Sequence, residues 1–94
     1  MNRSRLSDEE VEQALSSLPE WRVVDGNLRR RFEFPSFVVA FGFMTRVAMA
    51  AERMDHHPDW SNVYSTVTIN LQTHDAGGLT ALDFELARQI DALL

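Results

Sequence analysis

The order of patterned segments predicts an α+β fold, α-β-β-α-β-β-α, with a four-stranded antiparallel sheet and three helices packed on one face. Three observations carry that prediction. Helical periodicity opens and closes the chain, a long apolar stretch starting at Phe37 supplies a middle helix, and an alternating stretch with its own turn signal lies on each side of that helix.

Ser7-Asp8-Glu9-Glu10 reads as a capping box, with Ser7 at the N-cap and Glu10 reaching back. Val11, Ala14, Leu15 and Leu18 follow on one helical face, and Pro19 closes the segment, so the first helix is expected from about Asp8 to Leu18. Trp21 to Val24 is a short strand, and Asp25-Gly26-Asn27 is a turn signal. From Leu28 to Phe34 the chain alternates: Leu28, Arg30, Phe32 and Phe34 on one side, Arg29, Arg31 and Glu33 on the other. That is a hairpin with one buried face. Arg30, the odd member of that face, belongs near its edge. The charged outer side reads as a solvated, edge-protecting face rather than a binding patch.

Ser36 is the expected N-cap of the middle helix, which should run to about Asp55 with Phe37, Val38, Phe41, Met44, Val47, Ala48 and Ala51 directed at the core. Gly42 inside it costs about 1 kcal/mol against alanine, which implies close approach of another element or a neighbouring side chain that leaves no room. Pro58 is expected to end the helix, because the residue before a proline is pushed out of the α region. Ser61 to Thr73 is rich in β-branched residues and divides into two strands at Tyr64-Ser65. Val63, Val67, Ile69 and Leu71 share one parity there, and Tyr64, Thr66, Thr68 and Asn70 the other. Gly77-Gly78 is a loop. Thr80 then caps a third helix with Asp83 three residues on, and Leu82, Leu86 and Ile90, flanked by Phe84, Ala87 and Leu94, form its apolar face.

Ninety-four residues are expected to make a single domain over 1–94, since two domains would each be too small to bury a core. With no cysteine, disulfides, thiolate chemistry and cysteine-ligated metals are excluded. A net charge of −5 disfavours non-specific binding to nucleic acid. The longest apolar stretch, Phe37 to Met44, is far shorter than a membrane span. The opening residues lack the apolar run of a secretory signal, so a cytoplasmic setting is expected.

The chemistry concentrates in Glu52-Arg-Met-Asp-His-His-Pro-Asp-Trp60, answered by Thr73-His74-Asp75 and Asp83. All three histidines fall within nineteen positions. His56 is expected in the last turn of the middle helix, where the helix dipole, Asp55 and Glu52 all favour the imidazolium. His57, just before Pro58, should be extended and point elsewhere. His74 arrives from the end of the last strand, beside a Gly-Gly loop that lets backbone approach a ligand. Such groups suit general acid–base work near neutral pH. Trp60 and Tyr64 offer flat surfaces for a heterocycle, with core or sheet packing as the equal alternative for each. Metal binding is the rival: the residue types fit zinc or iron, but the spacing argues against it, because adjacent histidines rarely aim at one ion and no HxxxH or HxH pair is present. Three unrelated surface histidines around a proline turn is the plainest alternative.

The residues Phe41-Gly-Phe-Met-Thr-Arg-Val-Ala48, Ala51-Glu52, Asp55-His-His-Pro-Asp-Trp60, Asn62-Val-Tyr64, Val67, Leu71, Thr73-His74, Gly78-Leu-Thr80 and Asp83 resemble the pterin-4a-carbinolamine dehydratases, from about Trp21 to the C-terminus. The N-terminal helix matches only in type. The resemblance implies loss of water from 4a-hydroxytetrahydropterin, giving quinonoid dihydropterin for tetrahydropterin recycling after aromatic amino acid hydroxylation, with no metal or organic cofactor. It also implies the fold derived above, in dimers or tetramers. Carried over, His56 and His74 would act as general acids, one per substrate epimer, and His57 would mainly hold the pterin. Asp55 and Asp83 would orient the histidines or bind the ring, and Glu52 would support the first histidine. His56-His57-Pro58 with Trp60 nearby, and Thr73-His74-Asp75-Ala76, would form the pocket. The expected partners are a small pterin and further copies of the chain, without nucleic acid or membrane. Binding to a transcription factor enters only by analogy with animal members.

Overall fold

α1 (Asp8–Leu15), β1 (Arg22–Val24), β2 (Asn27–Glu33), α2 (Phe37–Met54), β3 (Asp59–Val63), β4 (Thr66–Leu71) and α3 (Ala81–Asp91) follow one another in the computed structural model, which describes residues 2–94. A 3₁₀ turn at His74–Ala76, not foreseen from the sequence, lies between β4 and α3. The strands form one antiparallel sheet in the order β1-β2-β4-β3.

The register explains the core. Leu28 stands opposite Leu71, Phe32 opposite Val67, and Trp60 opposite Ile69. Directly opposed residues share a face, so these six side chains make the helix-facing surface of the sheet. All are buried except Trp60, which is half-buried and packs against the rest. The β1–β2 turn uses two left-handed residues, Asp25 (φ 51°) and Gly26 (φ 78°), a geometry that matches the twist of the flanking strands. Arg30, expected near the edge of the inner face, stands half-buried opposite Ile69 and between Leu28 and Phe32; it reaches Asp91 Oδ1 at 2.8 Å and lies 4.6 Å from the Phe32 ring centroid. Trp21, just ahead of β1 rather than in it, donates its indole N–H to the same carboxylate at 2.9 Å.

α1 begins with both halves of the Ser7–Glu10 capping box. The Ser7 backbone N–H, followed by its hydroxyl, holds the Glu10 carboxyl below the usual carboxylate range. The helix stops at Leu15, earlier than expected. Leu18 is nevertheless buried, in a turn closed by its N–H to Leu15 O at 2.9 Å.

α2 departs most from expectation. Its buried residues are Ala40, Phe43, Val47, Ala50 and Ala51, with Met44 half-buried. Phe37, Val38, Phe41 and Ala48, expected inside, face outward. The helix is apolar nearly all round, so spacing alone leaves its rotation open. Phe43 sets that rotation, with its ring centroid 5.0 Å from Phe32 and 4.8 Å from Phe34. Gly42 falls on the outward side, and an ideal Cβ there meets nothing among the described residues within 4 Å beyond its own stretch of helix, so neither expected reason for it is found among them. Val63 is also outward. Across the Tyr64-Ser65 turn it pairs with Thr66, so parity does not carry from β3 into β4. Leu94 is exposed rather than part of the α3 face.

Candidate active site

The site begins where α2 stops. Asp55 takes the left-handed conformation (φ 50°, ψ 44°), its N–H bonds Glu52 O at 3.1 Å, and the His56 N–H bonds Ala51 O at 3.0 Å. These two bonds are a Schellman motif, which satisfies the last helical carbonyls and turns the chain sharply. An aspartate tolerates that backbone better than most residues. Pro58 therefore follows an ending already made. His56 lies beyond the helix, not in its last turn as the spacing implied.

The turn drives the His56 ring inward, leaving the residue 6% exposed. Its Nε2 meets Asp83 Oδ1 at 2.6 Å, on the first turn of α3. The other Asp83 oxygen accepts the Thr73 hydroxyl at 2.8 Å and the Thr80 backbone N–H at 2.9 Å. Asp83 is fully buried, as are Thr73 and Thr80. Because Thr73 spends its proton on Asp83, Thr80 Oγ1 donates to Thr73 Oγ1 at 2.8 Å, while accepting from Leu82 N–H at 3.2 Å. Every donor in the network then has an acceptor. Asp83 takes part in three hydrogen bonds, with His56 Nε2 as the donor in the tautomer that satisfies this network. No buried side-chain nitrogen or oxygen among the described residues lacks a partner, and the His56 ring bonds only through Nε2. Nδ1 is thus the ring atom left in contact with solvent.

His57 turns the other way. Its side chain is 57% exposed, and its Nε2 lies 2.8 Å from Glu52 Oε1. Glu52 thus supports the second histidine, not the first. Asp55, expected to orient a histidine with its carboxylate, acts here through its backbone: the side chain is exposed and hydrogen-bonds none of the three. Pro58 is half-buried in the link to β3, and Trp60 belongs to the core face of the sheet.

Thr73 is held inside by Asp83, and its neighbours are displayed outside. His74 opens the 3₁₀ turn and is exposed with Asp75, Ala76 is half-buried, and Gly77 closes the turn with φ 73°. Thr73 and Gly78 bridge the loop, with Thr73 N–H to Gly78 O at 3.1 Å. Asp75 faces Arg3 at 3.4 Å. Asp83 therefore joins two segments of the chain, and each leads straight into an exposed histidine. Among the described residues no three His, Asp or Glu side chains are grouped so as to hold a metal ion. Thr80 was foreseen as a cap but not as a member of this network, although the spacing to Asp83 that marks the cap was its signal.

The family model described as pterin 4 alpha carbinolamine dehydratase matches residues 4–93. The chain belongs to the pterin 4 alpha carbinolamine dehydratase family. Curated relatives named for that dehydratase include one from Synechococcus sp. (strain WH7803), 56% identical over 96% of this chain and 97% of its own. Another, from Mesorhizobium japonicum, is 55% identical over 97% and 95%. A solved structure titled as a transcriptional coactivator/pterin dehydratase from Brucella melitensis superposes with a TM-score of 0.92 at 42% identity, covering 96% of this chain and 98% of that one. The dehydratase family match begins within the segment before α1, well upstream of the Trp21 at which the resemblance in the sequence set in.

Proposed function

We propose that this chain eliminates water from a 4a-hydroxytetrahydropterin to give a quinonoid dihydropterin, by histidine acid–base catalysis, in tetrahydropterin recycling after aromatic amino acid hydroxylation. Membership of the family supports a pterin-4a-carbinolamine dehydratase, a hydro-lyase. The observation that carries the catalytic part is the Asp83 junction, which ties the His56-His57 turn to the Thr73-His74 loop through buried hydrogen bonds.

The chemistry needs two proton transfers. As the C4a–O bond breaks, an imidazolium gives its proton to the departing hydroxyl, which leaves as water. The ring N–H gives its proton to a neutral imidazole while its electrons form the new C=N bond, so protons balance without a cofactor. His56 offers Nδ1 from a ring whose orientation Asp83 holds. His74, exposed and without a side-chain hydrogen bond among the described residues, is free to exchange protons from the other side. His57, braced by Glu52, holds the pterin, with Pro58, Asp75 and Ala76 alongside.

The proposal includes self-association in the cytoplasm. Phe37, Val38, Val39, Phe41 and Met49 of α2 are exposed, as are Val63 and Tyr64 at the β3–β4 tip. A second copy of the chain would cover these side chains. Among the described residues no helix is long and apolar enough to cross a membrane.

The direct test follows quinonoid dihydropterin formation from synthetic 4a-carbinolamine, with and without the protein, in the presence of chelator. Chelator-resistant acceleration is expected. His74→Ala should lower kcat by about 10²–10⁴-fold with an unchanged thermal midpoint. A folded wild-type protein without acceleration would remove the dehydratase, and wild-type turnover in the variant would remove His74 from the chemistry. In the first case the Brucella neighbour's title leaves a protein-binding role as the alternative.

A further inference from the structure

The segment before α1 carries no expected function, yet it lies across the loop that bears His74. The Leu6 N–H donates to Leu79 O at 2.8 Å. Arg5 lays its side chain on Gly78: a Cβ built there would fall 2.8 Å from Arg5 Nε, 3.2 Å from Cδ and 3.3 Å from Cγ. Gly78 is buried although it has no side chain, and the Arg5 stem is packed tightly against it. One position further out, Arg3 reaches Asp75 at 3.4 Å, an exposed pair worth little on its own. The segment has a firm base, because Ser7 caps α1 and Val11, Ala14 and Leu15 of that helix pack against the core.

We propose that Arg5, with Leu6, is a positioning residue for His74: the Arg3–Leu6 strap presses on Gly78 and Leu79 and so fixes where the 3₁₀ turn presents its imidazole. This rests on the role given to His74 above. The loop needs such a clamp. Its Gly77-Gly78 pair has the widest conformational freedom of any dipeptide, and the return bond from Gly78 N–H to Thr73 O is long, at 3.5 Å. Asp83 secures the two inner ends of the loop, through the Thr73 hydroxyl and the Thr80 N–H. The outer side of the turn is held by the strap. His56, in contrast, has its own buried partner and does not depend on it.

Three variants test this: Arg5→Ala, Arg5→Lys, which keeps most of the aliphatic stem, and Gly78→Ala, whose new methyl displaces Arg5 without demanding a left-handed backbone. In R5A, amide exchange at residues 74–77 should accelerate and the His74 ring resonances should move, with those of His56 unchanged. kcat should fall on the order of tenfold to a hundredfold with KM nearly constant, as expected for a misplaced proton donor. R5K should recover most of the loss. G78A should reproduce the defect and add nothing in the R5A background, because the two changes act on one contact. Unaltered exchange and ring resonances in R5A, or additive effects of R5A and G78A, would overturn the proposal. Should R5A fail to fold, G78A alone and with R5K gives the same readings. The magnetic resonance readings need no turnover, so a strap that behaves as expected in an inactive wild-type protein would overturn the dehydratase and leave the strap standing.

Discussion

His56 and His57 are neighbours in the chain and opposites in circumstance. The first is buried, with one ring nitrogen committed to a carboxylate that is itself fully inside the protein. The second stands in solvent beside a carboxylate that is 80% exposed. One left-handed residue, Asp55, produces the difference by turning the chain at the helix end so that successive side chains leave in different directions. Both pairs are short, at 2.6 and 2.8 Å, so distance does not distinguish them. Surroundings do. In the interior no water can replace a lost partner, whereas at the surface it can at once.

The largest test of that contrast removes the buried carboxylate. Asp83→Ala strips the acceptor from His56, Thr73 and the Thr80 N–H together, and should cost about 3–5 kcal/mol in urea denaturation, as expected when one partner of a buried pair is deleted. A loss below 1 kcal/mol would mean that water enters the junction. Thr73→Val should come next. It removes one donor to Asp83 and the acceptor of the Thr80 hydroxyl, for about 1–3 kcal/mol, measured in the same way. It also cuts the link between the two histidine segments, so the His74 amide should exchange faster than in the parent. The smallest effect belongs to the exposed pair. Glu52→Gln should change stability by about 0–1 kcal/mol, and any fall in turnover should appear as a raised KM for the pterin, with kcat retained. A fall in kcat alone would give Glu52 a part in proton transfer rather than in holding the ring.

Much of the framework was legible because it depends on local chemistry. The Ser7 and Thr80 caps, the Asp25-Gly26 turn, the break at Tyr64-Ser65 and the alternation of β2 each follow from a few adjacent residues. The site was legible as a concentration of residue types, not as a set of partnerships. Glu52 was matched to the wrong histidine, because four residues along a helix suggested a shared face while the Schellman turn took His56 off that face. The rotation of α2 was misread for a related reason. A helix with phenylalanine, valine or methionine on most sides carries no unique stripe, and the packing of the Phe43 ring against Phe32 and Phe34 selects one.

The sequence by itself determined the order of elements, where most of them start and turn, and that histidines and carboxylates gather in two short stretches. Those features rest on backbone preferences and side-chain hydrogen bonds that span at most a few residues. Only the tertiary structure decided which carboxylate holds which histidine, that the segment before α1 lies on the His74 loop, and which side of α2 is left bare. Each of these joins residues far apart in the chain. Asp83 meets His56, and Arg5 meets Gly78, because the sheet and helices bring them together, and no local spacing records such a meeting.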